Sequence, residues 1–466
     1  MFTSNSFHNH PSTMSSSTSH FFLPSPFLRH RPKPPPKPKL LLPIRSASPD
    51  PVVADIAEKL TASPSASPHL QPLRDRSSRS LLSKSWPSTK DEPFRFTNTS
   101  FLRSSDPVPA PFSLSLSTPP SVFAGSIADL PKSHNISSYL DSDPDGSLGD
   151  LFSDLNAIAA PDVSVVYVPA GVRASDGPVH LRFGYGAVEG GGDAGRMPVS
   201  SPRVLVVVEK GAEVGIVEEH VGLGEGEEED DGGRCCWANS VVEVVIEEEG
   251  KVRHSYIQSM PLGSAHTKWT FVRQEASSSY EFTEICTGGR LSRHSLHIQQ
   301  LGPDTSTELS SFHVSRSNQI QDLHSNIVLD HPRGFCRQLH KCIISHSSGQ
   351  AVFVGNVKVN RLAQQTDAGQ LARTILLAPN VTVTVKPSLQ IIADDVKCSH
   401  GVAIGDLEKD QLLYFRTRGI DEQTARNALL FAFGAEIVSR IPFEKFRKSI
   451  TSEVQRVLES KQTPSL

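Results

Sequence analysis

Val381-Thr382-Val383-Thr384-Val385-Lys386 alternates β-branched apolar residues with polar ones at strict period two. That pattern is the signature of a strand with one buried face. Working back along the chain, Thr270 to Val272, Val241 to Ile246, Val204 to Val208 and Val163 to Val168 repeat the β-branched enrichment as short runs. No amphipathic helical stretch of useful length interrupts residues 161–405, which therefore read as an all-β body. Periodicity alone leaves a sandwich, a barrel and a β-solenoid open.

The flanks differ from this body. Over residues 47–160, Val52 to Leu60 reads as a short helix and Leu81 to Trp86 as the end of another, in a mixed, partly helical region broken by Ser-Pro pairs. Residues 406–466 are helical. Asp421 is placed as an N-cap, followed by Ala425, Leu429, Phe433, Ile437 and Ile441 at spacing four, with Leu430 widening the stripe. Pro442 suits the start of a further helix with Phe443, Phe446, Ile450, Val454 and Val457 on one face. Docking of both stripes onto the same chain is the ordinary expectation. The first 46 residues form a leader without Asp or Glu, rich in Ser, Thr and Arg or Lys, whose Pro32, Pro34, Pro35, Pro36 and Pro38 forbid a continuous helix. This composition predicts a plastid transit peptide, with the mature chain starting between Arg45 and Asp50.

Several function classes are disfavoured. A net charge of -4 over 466 residues gives no polybasic signature for nucleic acid. The sequence has no run of about 18 apolar residues to span a bilayer. No GxxxxGK[ST] motif is present to cradle a nucleotide, and no HExxH or GxSxG. The six cysteines include no CxxC pair, so free thiols are expected, with Cys235 and Cys236 as structural filler. The glycine-rich insert Gly184 to Gly195 and the acidic insert Gly222 to Gly233 read as surface loops. The histidines between His294 and His400 read mostly as strand-surface or turn residues.

One stretch carries chemistry. In Ile391-Ile392-Ala393-Asp394-Asp395-Val396-Lys397-Cys398-Ser399-His400-Gly401, continuation as a strand puts Cys398 and His400 on one face. A thiolate and an imidazole are both iron ligands. A packed, purely structural Cys-x-His remains the commoner reading of that pattern alone. Asp394 and Asp395, as strand neighbours, would face opposite sides and make a poor acid/base pair.

The run DDVKCSHGVAIGDLEKDQLLYFRTRG, Asp394 to Gly419, closely resembles the SufD family signature, although Val402-Ala403 stands where the family usually has Ala-Thr. Gly355 to Ile391, Asp330-His331, Gly289-Arg290 to Arg293, and Pro87 to Thr97 (PSTKDEPFRFT, with Pro93 in place of an aromatic) extend the resemblance. It implies a mainly β protein, a right-handed parallel β-helix with α-helical amino- and carboxy-terminal domains. It also implies a non-catalytic scaffold in the chloroplast stroma, paired with SufB through the β-helix and with the SufC ATPase through the carboxy-terminal helices. On this reading a transient iron–sulfur cluster is shared with SufB, His400 and Cys398 are the candidate iron ligands, and the chain binds no nucleotide. A β-solenoid carbohydrate-active enzyme and a structural adaptor that never touches iron are the alternatives.

Overall fold

The valine-rich runs become strands that are covered on both sides, which is why they lack alternation. Trp237–Ile246 is buried at every position. The computed structural model describes residues 49–61, 67–130, 139–140, 149–186, 188–189, 195–223 and 234–459. The expected leader, the acidic loop after Leu223 and half of the glycine-rich insert lie outside the described residues. In the other half, Gly184 to Gly186 end the strand Val179–Gly186 and Val188–Glu189 pairs with Arg234–Cys235, so that part is strand rather than surface loop.

Successive strands alternate between two sheets. Arg203–Val208, Trp237–Ile246, Ala265–Gln274, Leu291–Gln300, Ile320–Leu329, Gln350–Val359 and Thr382–Ile391 stack in parallel in one. Glu213–Leu223, Lys251–Ser259, Ser279–Cys286, Ser306–Ser315, Phe335–Ile344, Thr366–Leu376 and Val396–Gly405 stack in the other. Val241 pairs with Trp269, Trp269 with Ser295, Ser295 with His324 and His324 with Val354, so one coil takes about 26 to 30 residues there. The result is a parallel β-helix of about six turns with helices toward both ends.

The tight turns are tied coil to coil. Gly171, Gly211, Glu249, Ser277, Asp304, Arg333 and Gln365 all have φ between 59° and 71°. Their N–H groups donate to Lys210, Glu248, Ala276, Pro303, Pro332, Gln364 and Asp395 carbonyls respectively, each on the next turn, at 2.5 to 3.1 Å. A left-handed non-glycine residue costs about 1 kcal/mol or more. Here the conformation aims each amide along the solenoid axis, and the bond it makes offsets that cost.

The two ends are unlike. At the amino end, Phe112–Ser117 and Phe123–Ser126 run antiparallel to Val179–Gly186 and Ser164–Val168 and cover the first edge of each sheet. At the other end, among the described residues, Thr382–Ile391 and Val396–Gly405 each have a strand partner on one side only. Ile391, Ile392, Val402 and Ile404 are exposed there.

Helices α1 (Pro51–Thr61), α2 (Gln71–Leu81), α3 (Ser100–Ser104) and α4 (Leu151–Ala159) lie in the amino-terminal region. α2 ends at Leu81, so the expected helix end at Leu81 to Trp86 falls just beyond it, in a turn where Ser83 N–H bonds the Ser80 carbonyl. Trp86 instead packs edge-on to Phe152, which does the same to Trp237, with centroids 5.8 and 5.9 Å apart. The Pro87–Thr97 motif then crosses the outer face of the first sheet. Phe94 lies under the Arg293 guanidinium at 4.0 Å, and the Thr97 hydroxyl donates to Asp322 at 2.5 Å. Arg293 also pairs with Asp322, which is fully buried.

Helices α5 (Lys409–Thr417), α6 (Glu422–Val438) and α7 (Glu444–Glu459) follow the last strand. Asp421 caps α6 by accepting from Thr424 N–H at 3.0 Å, as its sequence position implies. Val217, Ile257, Ile285, Phe312 and Ile343 on the second sheet's outer face pack with Leu430, Ile437, Ile441, Ile450 and Val454. The buried stripe is rotated slightly from the sequence expectation. Ala425, Ile437 and Ile441 are fully buried as expected, Leu430 and Gly434 are buried beside them, and Leu429 and Phe433 are only half-buried.

Gly434 marks the closest approach. A Cβ there would stand 2.7 Å from the Phe312 ring. Gly434→Val should therefore lift α6 off the sheet at a cost of about 1–3 kcal/mol. A lowered denaturation midpoint with an unchanged β signal by circular dichroism would register it.

Candidate functional site

Val396–Gly405 is a strand, as expected, with Cys398 and His400 on the same parity. Register fixes their surroundings. Cys398 continues the file Cys336, Ala368, and His400 continues the file Gln338, Gln370. Both files face the lumen, since Cys336 and Ala368 belong to the core and Gln370 donates to Gln338 at 2.9 Å. The two residues differ sharply in access. Cys398 is half-buried against that core, and burial raises its thiol above the ordinary range. His400 is exposed on the final coil. Asp394 and Asp395 lie in a bend before the strand rather than within it, both exposed. There Asp395 closes the turn ladder, its carbonyl accepting from Gln365 and its N–H bonding the Gln364 side chain.

The histidines are where sequence reasoning fell short. His294, His297, His313 and His340 are buried, not surface or turn residues, and His220, His254 and His266 join them. Of the eight from His294 to His400, His346 and His400 alone are exposed.

Lumen-facing residues of both sheets create a polar interior. Glu218 is 1 % exposed and accepts from Lys268 Nζ at 2.5 Å, His220 Nε2 at 2.6 Å and His254 Nε2 at 3.0 Å. Burial pushes its carboxyl up, but Lys268 and the two imidazoles outweigh that and hold it well below the usual range. With Nε2–H committed to Glu218, His220 Nδ1 accepts from the Tyr185 hydroxyl at 2.7 Å. Tyr280 bonds His254 Nδ1 at 3.0 Å. His266 bridges Ser240 and Tyr256 at 2.7 and 3.0 Å. Further along, Glu284 lies between His294 and His313, at 2.9 Å from each, and the Cys286 thiol is 3.4 Å from it.

Burial lowers the pKa of His220, His254, His266 and His340, against the pull of the carboxylates. These rings stay neutral when folded and take up protons when unfolded, so the unfolded state binds more protons below about pH 6.5. Stability conferred by these groups is fully present above that pH and is lost as pH falls through it. The denaturation midpoint should drop clearly between pH 7 and pH 5, and a flat profile across that window would contradict the assignment.

No helix among the described residues is long and apolar enough to cross a membrane. All six cysteines are free, as expected.

Comparison with known proteins adds an independent line. Residues 191–433 match the family described as SUF system FeS cluster assembly, SufBD core domain. The chain is 49% identical to the chloroplastic protein ABCI7 of Arabidopsis thaliana over 445 residues, covering 88% of this chain and 91% of that protein. It is 37% identical to an iron–sulfur cluster assembly SufBD family protein of Synechocystis, covering 66% of each. It is 33% identical to the iron–sulfur cluster assembly protein SufD of Escherichia coli, over 41% of this chain and 44% of that one.

Proposed function

This chain belongs to the SufBD family of the SUF iron–sulfur cluster assembly system, and we propose that it serves there as a SufD-type, non-catalytic scaffold subunit. It pairs with SufB through the last coil of its β-helix and shares a nascent cluster at the junction, in the chloroplast stroma. The chloroplastic relative at 49% identity and the leader composition support the compartment.

The observation that carries this reading is the asymmetry of the solenoid. One end is covered by antiparallel strands, while the other presents unpaired edges, four exposed apolar side chains and His400. An uncovered edge of this kind is a template for strand pairing with another chain. A stably held cluster takes four protein ligands. His400 alone is freely presented here, because Cys398 is half-buried with a raised pKa. The remaining ligands would come from SufB, so neither subunit holds the cargo alone and opening their interface releases it. Work for that opening falls to SufC, since this chain has no phosphate loop of its own. Leu413 and Tyr414 on α5, 57 % and 59 % exposed, offer an apolar face for it.

Placing Lys at both Val402 and Ile404 puts two charges on the edge without touching the core. The double variant should fold as wild type by circular dichroism yet lose co-purification with SufB. Retained pairing would move the interface elsewhere and remove the basis for a shared cluster at His400.

A further inference from the structure

We propose that Glu284, Cys286 and His313 form a second metal site, in the β-helix lumen, for a borderline-soft divalent cation such as Fe²⁺ or Zn²⁺. Their ligand atoms lie within 4.8 Å of one another, one carboxylate oxygen, one sulfur and one imidazole nitrogen. All three residues are at most 2 % exposed. Cys286 and His313 are register partners on adjacent strands, and Glu284 precedes Cys286 by two on the same face. The backbone thus delivers all three donors to one spot in the lumen.

The donor set is selective. Tetrahedral binding at Zn–S of about 2.3 Å and Zn–N of about 2.0 Å needs ligand atoms about 3.5 Å apart. Cys286 Sγ and His313 Nε2 already stand 3.4 and 2.9 Å from Glu284 Oε1. Mixed sulfur, nitrogen and oxygen ligation disfavours Mg²⁺ and Ca²⁺, which take oxygen alone.

Two features of the surroundings point the same way. His313 Nδ1 is buried without a hydrogen-bond partner, so the ring can move its proton there and offer the Nε2 lone pair without breaking another bond. Glu284 Oε2 accepts from His294 Nδ1 at 2.9 Å, and His294 Nε2 bonds Thr270 at 2.9 Å, an outer shell that orients the carboxylate. Three protein donors leave a fourth position open, as suits an ion that exchanges.

This site needs neither His400 nor a partner subunit, so it is tested on the full chain alone. The chelator-treated protein is titrated anaerobically with Co²⁺, whose thiolate complexes absorb in the near-ultraviolet by charge transfer. Wild type and His400→Ala should each bind one equivalent with that band. Cys286→Ser should lose the band, and His313→Gln should weaken binding about tenfold or more, with near-ultraviolet circular dichroism reporting the fold. If a variant fails to fold, X-ray absorption of the wild-type complex still decides, since a first shell with one sulfur is required. A shell with no sulfur or several, the band persisting in Cys286→Ser, or no cobalt bound by wild type would each overturn the site.

Discussion

Lys268→Met should lower the stability of the folded chain by about 3–5 kcal/mol, the cost of leaving a buried carboxylate without its cation. Glu218 is held inside the solenoid by Lys268 and two histidines, and the Lys268 ammonium also stands 4.7 Å over the Tyr256 ring. Removing the lysine leaves the imidazoles, which burial keeps from charging, as the only compensation. Adding Glu218→Gln should recover most of the loss, because the amide can still bond while no charge remains to be neutralised. A denaturant double-mutant cycle measures both steps. A single variant within about 1 kcal/mol of wild type would mean that water reaches the interior and screens the pair.

That interior was not legible in the sequence, for a specific physical reason. Glu284-Ile285-Cys286 alternates, and alternation does not say which face is the core. Taken alone, the apolar residue is assigned inward. Here α6 and α7 cover the outer face, so Ile285 and Phe312 turn outward into helices while Glu284, Cys286 and His313 turn inward. Knowing that the carboxy-terminal stripes dock on this sheet would have been enough to invert the reading. The turn ladder was hidden for a different reason. Glu249, Ser277, Asp304, Arg333 and Gln365 adopt left-handed φ at positions where a glycine would have signalled it.

What was legible came from pattern and from resemblance. The valine runs and the Val381–Lys386 alternation located strands, spacing four located α6, and the one-sided apolar face from Phe443 to Val457 located α7. Periodicity could not select the β-helix, because parallel pairing 26 to 30 residues apart leaves no short-range mark in the sequence. Strand placement of Cys398 and His400 on one face followed from spacing. Their difference in exposure did not, since both have the same parity on the same strand, and what separates them is that Cys398 packs over the core at Ala368 while His400 stacks on Gln370.

His400→Ala should preserve folding and assembly of the complex yet remove most of its cluster-building capacity. The side chain is exposed, forms no part of the hydrophobic core and lies on the last coil. Its loss should therefore leave the unfolding free energy within about 0.5 kcal/mol of wild type. Cys398→Ser should have the smaller functional effect, because the half-buried thiol is poorly presented to an incoming iron. A packing role for His400 would instead show first as lost stability or a broken complex.

The most direct test is acid-labile sulfide and iron measured on intact, co-expressed SufB–SufC–SufD complex isolated anaerobically, with wild type and His400→Ala compared at equal subunit stoichiometry. A His400→Ala complex that forms normally but holds a small fraction of the wild-type iron and sulfide is the predicted result. Equal iron and sulfide in the two complexes would contradict it, and would leave this chain an adaptor that never touches the cluster.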